Sequence, residues 1–176
     1  MLKAGFQTNC YDGQFFFDTD HPVTVDDIET SVSNTQAGAG AGWYLVDASR
    51  HIKPLIWQER EDYHFQTLDR DSSENVFMRD EFLYGIRARG NAELGLWQLA
   101  FGSKAELSAA NYADARARMA DFRGDQDQLL GITPNLLIVP PILEAAARTL
   151  LFTDEIDGTS NIWKGTAELI VTPYVA

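Results

Sequence analysis

The chain has 176 residues, and 45% of them are hydrophobic, so it can build the core of one compact domain with extended appendages. Acidic residues outnumber basic residues by 26 to 14, which gives a net charge of -12. A domain that grips nucleic acid normally turns a basic face to the phosphates. The excess of acidic residues therefore argues against a DNA-binding enzyme or regulator. It does not argue against a protein that encloses DNA without binding it.

Secretion, membrane insertion and disulfide chemistry find no support in the sequence. No stretch approaches the roughly 18 uninterrupted apolar residues of a membrane helix, and no apolar run follows Lys3 as it would in a secretion signal. We therefore expect a soluble cytoplasmic product. Cys10 is the only cysteine, which excludes an internal disulfide and a cysteine-rich zinc site. We interpret it as a small, half-buried apolar residue.

The first predicted element is a β-hairpin. Strand-like runs at 8–11 and 14–17 flank Asp12-Gly13, a dipeptide that favours a two-residue turn because both positions tolerate positive φ. The polar stretch 18–34 has no clear period and indicates an exposed arm or long loop. The Ala-Gly repeat at 37–42 is typical of a flexible linker.

Residues 43–101 are predicted to be rich in β-structure. We expect short strands at 43–47, 54–60 and 63–68, with a charged bend at 59–62, and a central strand at 94–101. Residues 82–89 alternate with a period of two, which indicates a half-buried strand. One face would carry Phe82, Tyr84, Ile86 and Ala88, and the other Leu83, Gly85, Arg87 and Arg89.

The pattern then changes to that of a helix. Ser103 and Glu106 have the spacing of a capping box, in which the hydroxyl and the carboxylate each satisfy an unpaired amide. Residues 108–122 repeat a stripe at three- and four-residue steps, and Asp114 and Arg118 are spaced for an i,i+4 pair. The pattern predicts a helix of roughly 17 residues, about 25 Å long.

A strand–helix–strand unit ends the chain. A buried strand is predicted at 136–139, and Pro141 suits the first helical turn, where its missing amide costs nothing. The apolar face of the helix comprises Leu143, Ala146, Ala147, Leu150 and Leu151. With a last strand at 167–171, the spacing predicts a parallel βαβ crossover.

The most ligand-like cluster is formed by Asp18, Asp20 and His21. Two carboxylates and an imidazole could hold a divalent ion, as in a small acidic metal-dependent hydrolase. Pro22 follows at once, as in an ordinary turn. A loop whose aspartates bond its own backbone is therefore the simpler interpretation.

Other chemistry-bearing side chains have structural interpretations. His51 and His64 lie on predicted strands with no nucleophile nearby. Arg87 and Arg89 could clamp an anion, but a salt bridge to a neighbouring element or subunit is the expected use. We interpret the tryptophans as packing anchors or subunit contacts. They are Trp43, Trp57, Trp97 and Trp163.

Several stretches resemble the major head subunit of Mu-like prophages, the gpT family. They are CYDGQFFFDTDHP (10–22), WYLVD (43–47), KPLI (53–56), YGIRAR (84–89), GLWQLA (95–100), PNLLIVPP (134–141) and GTAELIV (165–171). They are spread along the chain on both sides of 24–42.

The resemblance implies the α+β Hong Kong phage-type capsid fold. Its parts would be an extended loop hairpin (1–36), a linker (37–42), β-rich peripheral and axial strands (43–102), a spine helix (103–124) and an axial α/β domain (125–176). Phe15, Phe16 and Phe17 are the expected loop contacts between subunits, with Arg87 and Arg89 as pairing charges.

The resemblance also implies a structural protein of the virion, with no catalytic residues, cofactor or metal. Identical subunits would form hexamers and pentamers of an icosahedral shell around DNA, without sequence-specific binding and without a membrane. The shell would assemble in the host cytoplasm, with a scaffolding protein as a candidate partner. The alternative is an accessory structural protein of a phage that shares the same evolutionary origin.

The order of the blocks differs from the order we expect for the family. The block at 43–101 would normally follow the block that ends at Tyr174, whereas here it comes first. We therefore expect a circular permutant with junctions at 37–42 and 103–104. The chain is also short for the family and lacks the segment expected before Leu2.

Overall fold

The chain forms two compact units. The computed structural model describes residues 1–25, 27–156 and 158–176, and for Val25 and Asp125 it describes the backbone alone. The larger unit, here called the body, comprises Met1–Leu55 and Leu94–Ala176. The smaller unit, here called the strand arm, comprises Ile56–Glu93.

The elements follow one another along the chain as short strands and helices. The strands are β1 (His21–Val25), β2 (Ile28–Val32), β3 (Thr35–Gln36), β4 (Trp43–Val46), β5 (Leu55–Leu68), β6 (Leu83–Leu94), β7 (Ala100–Ser103), β8 (Leu136–Val139), β9 (Glu155–Ile156), β10 (Thr159–Ser160) and β11 (Glu168–Val171). The α-helices are α1 (Glu74–Arg79), α2 (Ala109–Ala120) and α3 (Glu144–Phe152). Short 3₁₀ helices lie at Lys3–Phe6, Trp97–Leu99, Asp125–Asp127, Pro141–Leu143 and Pro173–Val175.

A mixed five-stranded sheet lies at the centre of the body, in the order β11-β8-β4-β7-β3. Strand β11 runs parallel to β8, and β3 runs parallel to β7. Strand β4 pairs antiparallel with both β7 and β8, and Trp43 opposite Ser103 fixes one register. All four residues of β4 are buried, as expected for an apolar strand with neighbours on both sides.

The predicted strand–helix–strand unit is confirmed as β8, α3 and β11. Pro141 lies in the first turn of the 3₁₀ helix that leads into α3. Ala147, Leu150 and Leu151 are buried, because they share the face that packs on the sheet. Ala146, predicted on the same face, is exposed.

Helix α2 begins later than predicted and has 12 residues. Its N-cap is Ser108, whose side chain accepts a hydrogen bond from the Asn111 amide at 3.3 Å. Ser103 instead ends strand β7, so the predicted capping box with Glu106 is wrong. The predicted buried stripe is confirmed at Phe122, just beyond the end of α2, and at three positions within the helix. They are Tyr112, Ala115 and Met119.

The predicted turn at Asp12-Gly13 is present, but its flanks do not form a projecting hairpin. Gly13 has a φ of 88°, and the Cys10 amide donates to the Gln14 carbonyl at 2.7 Å. Outside this turn, the two flanks share one antiparallel bridge, between Asn9 and Phe15. The following stretch, predicted as a loop, contains the antiparallel pair β1 and β2.

The Ala-Gly repeat packs closely against other segments of the body. The prediction that it is a flexible linker is therefore wrong. A Cβ atom added to Gly38 would lie 2.1 Å from the carbonyl oxygen of Lys104. The Gly40 amide donates to that same carbonyl at 2.9 Å, and the Trp43 indole donates to the Ala105 carbonyl at 2.8 Å. The glycines are therefore needed for close approach of two backbones.

The strand arm consists of β5 and β6 with α1 between them. Residues 55–68, predicted as two strands with a bend, form one strand of 14 residues. The contacts between β5 and β6 are Trp57 with Gly90, Glu61 with Arg87, and Phe65 with Tyr84. Because the numbers rise along one strand as they fall along the other, the strands are antiparallel. Within the described ranges, no helix is long and apolar enough to cross a membrane.

Candidate assembly site

His21, which the sequence places in a possible metal cluster, lies in the interior of the body. His21 is fully buried, and its Nδ1 lies 2.7 Å from Oδ2 of Asp12. Its Nε2 lies 3.3 Å from Oδ1 of Asn34. The imidazole stacks on the indole of Trp97, with 3.9 Å between ring centroids and 8° between planes. His21 therefore joins three separate segments of the body.

Asn34 holds this arrangement in one orientation. Its Nδ2 donates to the carbonyl oxygens of Phe16 at 2.7 Å, Ala100 at 3.3 Å and Trp97 at 3.4 Å. Because the amide nitrogen faces three acceptors, Oδ1 must face His21, and it also accepts from the Asp18 amide at 2.9 Å. Such a satisfied network specifies one packing of the N-terminal segment.

The aspartates next to His21 do not converge with it on an ion. Asp18 accepts hydrogen bonds from the backbone amides of Phe15 and Thr19, at 3.3 and 2.7 Å. Asp20 accepts a hydrogen bond from the Ser31 hydroxyl. Among the residues that the structure describes, no three histidine, cysteine or acidic side chains are grouped as metal ligands. The interpretation as backbone-bonding aspartates therefore fits Asp18, and His21 is a packing residue.

The remaining candidates for chemistry are two histidines and the cysteine. His51 and His64 are exposed. Cys10 is half-buried, as predicted, and its thiol donates to the carbonyl of Gly95 at 3.4 Å. Burial raises the pKa of the Cys10 thiol above its ordinary value, since the thiolate is poorly solvated there. A raised pKa makes the thiol less reactive at neutral pH.

A cavity of about 470 Å³ lies on the body beside Asp12. Its lining is mostly apolar, including Val23, Leu99 and Ile132, with Arg50 among the polar residues. The Arg50 guanidinium donates to the carbonyls of Leu130 and Gly131, both at 2.9 Å, and Asp12 is held by His21. The polar groups at this cavity are thus occupied with holding the body together.

The predicted loop contacts fall mostly inside the body. Phe16 and Phe17 are buried, and the Phe17 ring lies 5.0 Å from Phe6 and 5.4 Å from Tyr44. Of the three predicted contacts, Phe15 alone is exposed. The side chains of Phe16 and Phe17 are therefore used in the core of the body, and a subunit contact by the exposed Phe15 stays a prediction.

The predicted pairing charges both lie on the strand arm. Arg87 makes an exposed ion pair with Glu61, with 3.2 Å between nitrogen and oxygen. Arg89 makes no ion pair within the described part of the chain. Trp43 and Trp97 are buried, as predicted for packing anchors, whereas Trp57 on the arm is 68% exposed.

The arm as a whole exposes an unusual amount of apolar surface. No residue of α1 is buried, and Phe77 is 81% exposed. Along β5 and β6 the burial pattern is exposed or intermediate at every position. The large exposed apolar side chains of the arm and its ends are Ile56, Trp57, Tyr63, Phe65, Leu68, Phe77, Met78, Phe82, Leu83, Tyr84 and Ile86. A patch of this kind marks a contact surface.

The two most informative features were not visible in the sequence. The contact of His21 with Trp97 joins distant segments, although Asp12 and His21 both lie in one quoted stretch. Helix α1 was missed because its six residues are too few to show a period. Its exposed Phe77 and Met78 were available as a signal of a contact surface.

The fold of the chain is that of phage capsid proteins, as its likeness to solved capsid structures shows. The structure resembles a chain of the procapsid of bacteriophage JBD30, with a TM-score of 0.85 and 41% identity over 98% of this chain and 60% of that one. It also resembles a chain of the JBD30 capsid, with a TM-score of 0.82 over 99% of this chain. That second match has 23% identity and covers 60% of the other chain, and it shows the fold alone.

The family model of the Mu-like prophage major head subunit gpT matches residues 1–175. The chain belongs to this family, which is structural and not enzymatic. It is 46% identical, over 161 residues, to the Mu-like prophage FluMu major head subunit of Haemophilus influenzae, covering 85% of this chain and 51% of that protein. It is 39% identical, over 186 residues, to the major capsid protein of Escherichia phage Mu, covering 99% of this chain and 61% of that protein.

The chain spans about half to three-fifths of the length of these curated relatives. The expected fold class and family are confirmed by the comparisons. They give no support to the metal-dependent hydrolase. The expected circular permutation is not shown: the family match extends over 1–175, and the expected junction at 37–42 is a packed segment of the body.

Proposed function

We propose that this chain is a structural subunit of the head of a Mu-like phage, and that identical copies build an icosahedral shell around DNA. The observation that carries the proposal is the strand arm, which exposes large apolar side chains along its whole length. Membership of the major head subunit family gives that surface its natural partner, a further copy of the same chain. Hexamers and pentamers are the proposed intermediate assemblies.

The physical reason is that the arm lacks a core of its own. A two-stranded sheet is at best marginally stable in water, because neither face is shielded. Trp57 on β5 and Phe77 on α1 each leave more than half of their side chain in solvent. Burial of apolar surface contributes roughly 25 cal/mol per Å². Covering the arm with a neighbouring copy would therefore stabilise both the arm and the assembly.

The net charge fits a container for DNA better than a DNA-binding domain. At -12, the chain repels the phosphate backbone at long range. Packaged DNA would then be confined by the shell without sequence-specific contacts. We propose the virion as the final location, with assembly in the host cytoplasm.

Other head proteins are proposed as partners. The JBD30 capsid is described as decorated with minor capsid protein trimers, and a chain of that capsid superposes on this one with a TM-score of 0.79. We propose that a head built from this chain is decorated in the same way. A scaffolding protein is a second proposed partner, acting during assembly.

Electron microscopy and light scattering of the concentrated protein test the proposal. The expected result is rings or shells of regular diameter whose amount rises with protein concentration. Monomers under every assembly condition, for this chain and for a longer chain of the family's usual length, would contradict it.

A further inference from the structure

We infer that the outward face of helix α3 pairs with the same face of a second copy of this chain, with the two helices antiparallel about a two-fold axis. The outward face is defined here by Ile142, Ala145, Thr149 and Phe152. A contact of this kind uses one surface twice, so it closes on itself as a pair. The pairing is separate from the strand arm and goes beyond the proposed shell function.

Helix α3 is apolar on both of its sides. Ala145, Thr149 and Phe152 follow one another at four- and three-residue steps, so they share one side of the helix. All three are exposed, and Ile142, three residues before Ala145, is 80% exposed. The opposite side is the buried face that packs on the sheet. A helix that is apolar all round is normally covered all round, so the outward face of α3 lacks a partner within the described body.

The apolar surface continues past the C-terminal end of α3. The Asn161 side chain donates to the carbonyls of Leu150 and Thr153, at 2.8 and 3.0 Å. The next residue, Ile162, is therefore held near that end of the helix, and it is 74% exposed. Phe152, at the same end, is 52% exposed. In α2, by contrast, both large apolar side chains are buried.

The charges beside the outward face are complementary to themselves. Glu144 and Arg148 lie one turn apart on one flank of the face, and both side chains are partly exposed. When two helices pair antiparallel about a two-fold axis, each flank meets the same flank of the other helix in reverse order. Glu144 then meets Arg148 of the second copy, and Arg148 meets Glu144 of that copy. Both contacts across the axis are attractive.

Charge therefore selects a second copy as the occupant. With a net charge of -12, two copies repel each other over most of their surfaces. Residues 141–152 contain one acidic and one basic residue and are neutral as a group. At this face two copies can approach without bringing like charges together. Ile142 of each copy would then leave water against Phe152 of the other.

The face is small, which sets the strength of the pairing. From Ile142 to Phe152 it is about 15 Å long, at 1.5 Å per residue. One helix face of this length buries much less than the roughly 1,200 Å² at which stable complexes begin. We expect pairs in concentrated protein and dissociation to monomers at micromolar concentrations.

Disulfide trapping in the full chain tests the pairing. Ala145 lies at the middle of the outward face, so Ala145→Cys places the thiols of two paired copies close together at the two-fold axis. Oxidation of the concentrated variant with copper phenanthroline should trap a dimer on the order of tenfold faster than in the control, because pairing raises the effective thiol concentration. The control is Ala117→Cys, at an exposed position of α2. The natural chain, with Cys10 alone, gives the background rate.

Charge reversal tests the antiparallel arrangement. In the Ala145→Cys chain, Glu144→Arg or Arg148→Glu alone places like charges opposite each other across the axis. Each should slow trapping on the order of tenfold. The two substitutions together restore opposite charges and should restore the rate. The melting temperature should stay nearly unchanged, because the ion pair lost within each helix is exposed.

Removal of the apolar side chains tests the remainder of the contact. In the Ala145→Cys chain, Ile142→Ser with Phe152→Ser should slow trapping to the rate of the control variant. Ile28→Ser is the matched substitution, since Ile28 on β2 is 65% exposed, and it should leave the rate unchanged.

The outcomes separate the pairing from the shell function. Trapping of Ala145→Cys no faster than that of Ala117→Cys would overturn the pairing, and so would trapping that is insensitive to both charge reversals. Electron microscopy of the natural chain tests the shell function independently. Trapped pairs without shells would contradict that function alone, and shells without trapped pairs would contradict the pairing alone.

Discussion

The imidazole of His21 lies flat on the indole of Trp97, at 3.9 Å between ring centroids, while its Nδ1 meets the Asp12 carboxylate at 2.7 Å. The pair joins the start of β1 to the 3₁₀ helix that precedes β7. A residue that resembled a metal ligand in the sequence is thus a buried connector of the body. Asp12 and Asn34 each have a hydrogen bond to it, beside those that they accept from the Gln14 and Asp18 amides.

Replacing His21 with leucine should destabilise the body by about 2–4 kcal/mol, because it removes a charge-assisted hydrogen bond to the buried Asp12 carboxylate, a hydrogen bond to Asn34 and the ring stacking on Trp97. Urea unfolding followed by tryptophan fluorescence measures the loss. His51→Leu is the control: His51 is exposed, so its exchange should change stability by no more than about 0.5 kcal/mol. Equal effects of the two substitutions would contradict the role assigned to His21.

Gly38→Ala should destabilise the body by about 1–3 kcal/mol, since the new methyl group would overlap the Lys104 carbonyl. Gly40→Ala should cost less, because there the nearest atom is 3.1 Å away and a small shift suffices. Thermal unfolding of the two variants measures the difference. A neutral Gly38→Ala would instead indicate the flexible linker that the sequence predicts.

The Arg116 side chain connects helix α2 to the segments that precede β8 and β11. Its Nη1 donates to the carbonyls of Pro134 at 2.9 Å and Thr166 at 3.3 Å, and to the Tyr112 hydroxyl at 3.3 Å. Arg116→Met should cost about 1.5–3 kcal/mol in urea unfolding, since hydrogen bonds from a charged donor are lost. Arg118→Met breaks only an exposed i,i+4 pair with Asp114 and should cost about 0.5 kcal/mol or less. A larger loss for Arg118→Met would refute this ranking.

Ionisation of Tyr44 should make the body less stable at alkaline pH. Burial raises the pKa of the Tyr44 phenol above its ordinary value of 10.0, so the unfolded chain loses this proton at a lower pH than the folded chain does. Between those two values the unfolded state binds fewer protons, and the free energy of unfolding falls as pH rises. This contribution to stability is complete below pH 10 and is lost above it.

Tyr44→Phe should therefore flatten the fall in stability above pH 10, as measured by urea unfolding at a series of pH values. Phenylalanine keeps the ring contact with Phe17 and removes the ionisable group. Tyr174→Phe, at a side chain that is 88% exposed, serves as the matched control. An identical slope in the Tyr44→Phe variant and the natural chain would exclude Tyr44 as the source.

Local patterns predicted those elements in which one face is repeatedly buried. The α3 face with Ala147, Leu150 and Leu151, its exposed Glu144–Arg148 pair at 2.7 Å, and the parallel strands around it all follow from short-range spacing. Such patterns are reliable because every repeat reports the same direction of burial.

Elements decided by distant contacts could not be predicted. Serine suits both a helix cap and a strand end, and only the pairing of Ser103 with Trp43 selects the strand. An Ala-Gly run suits both a flexible linker and close backbone packing, and the Lys104 carbonyl selects packing. The aromatic run at 15–17 does not itself reveal which rings are buried.

The role of the two arginines of the arm between subunits stays a prediction. Arg87 and Arg89 were singled out by alternation along a strand, and they do lie exposed on the arm. Helix α1 was missed, because a six-residue helix with no buried side chain leaves no amphipathic pattern.

Above all, we propose that the strand arm joins copies of the chain to one another. Within the body, the Gly95 amide donates to the Pro54 carbonyl at 2.8 Å, so the two ends that bear the arm lie close together. The arm can therefore be replaced by a short glycine turn. Sedimentation velocity of the intact and armless proteins, matched for concentration, is the most direct measurement. We expect large assemblies from the intact chain and monomers with an unchanged melting temperature from the armless one; equal assembly of both would contradict the claim.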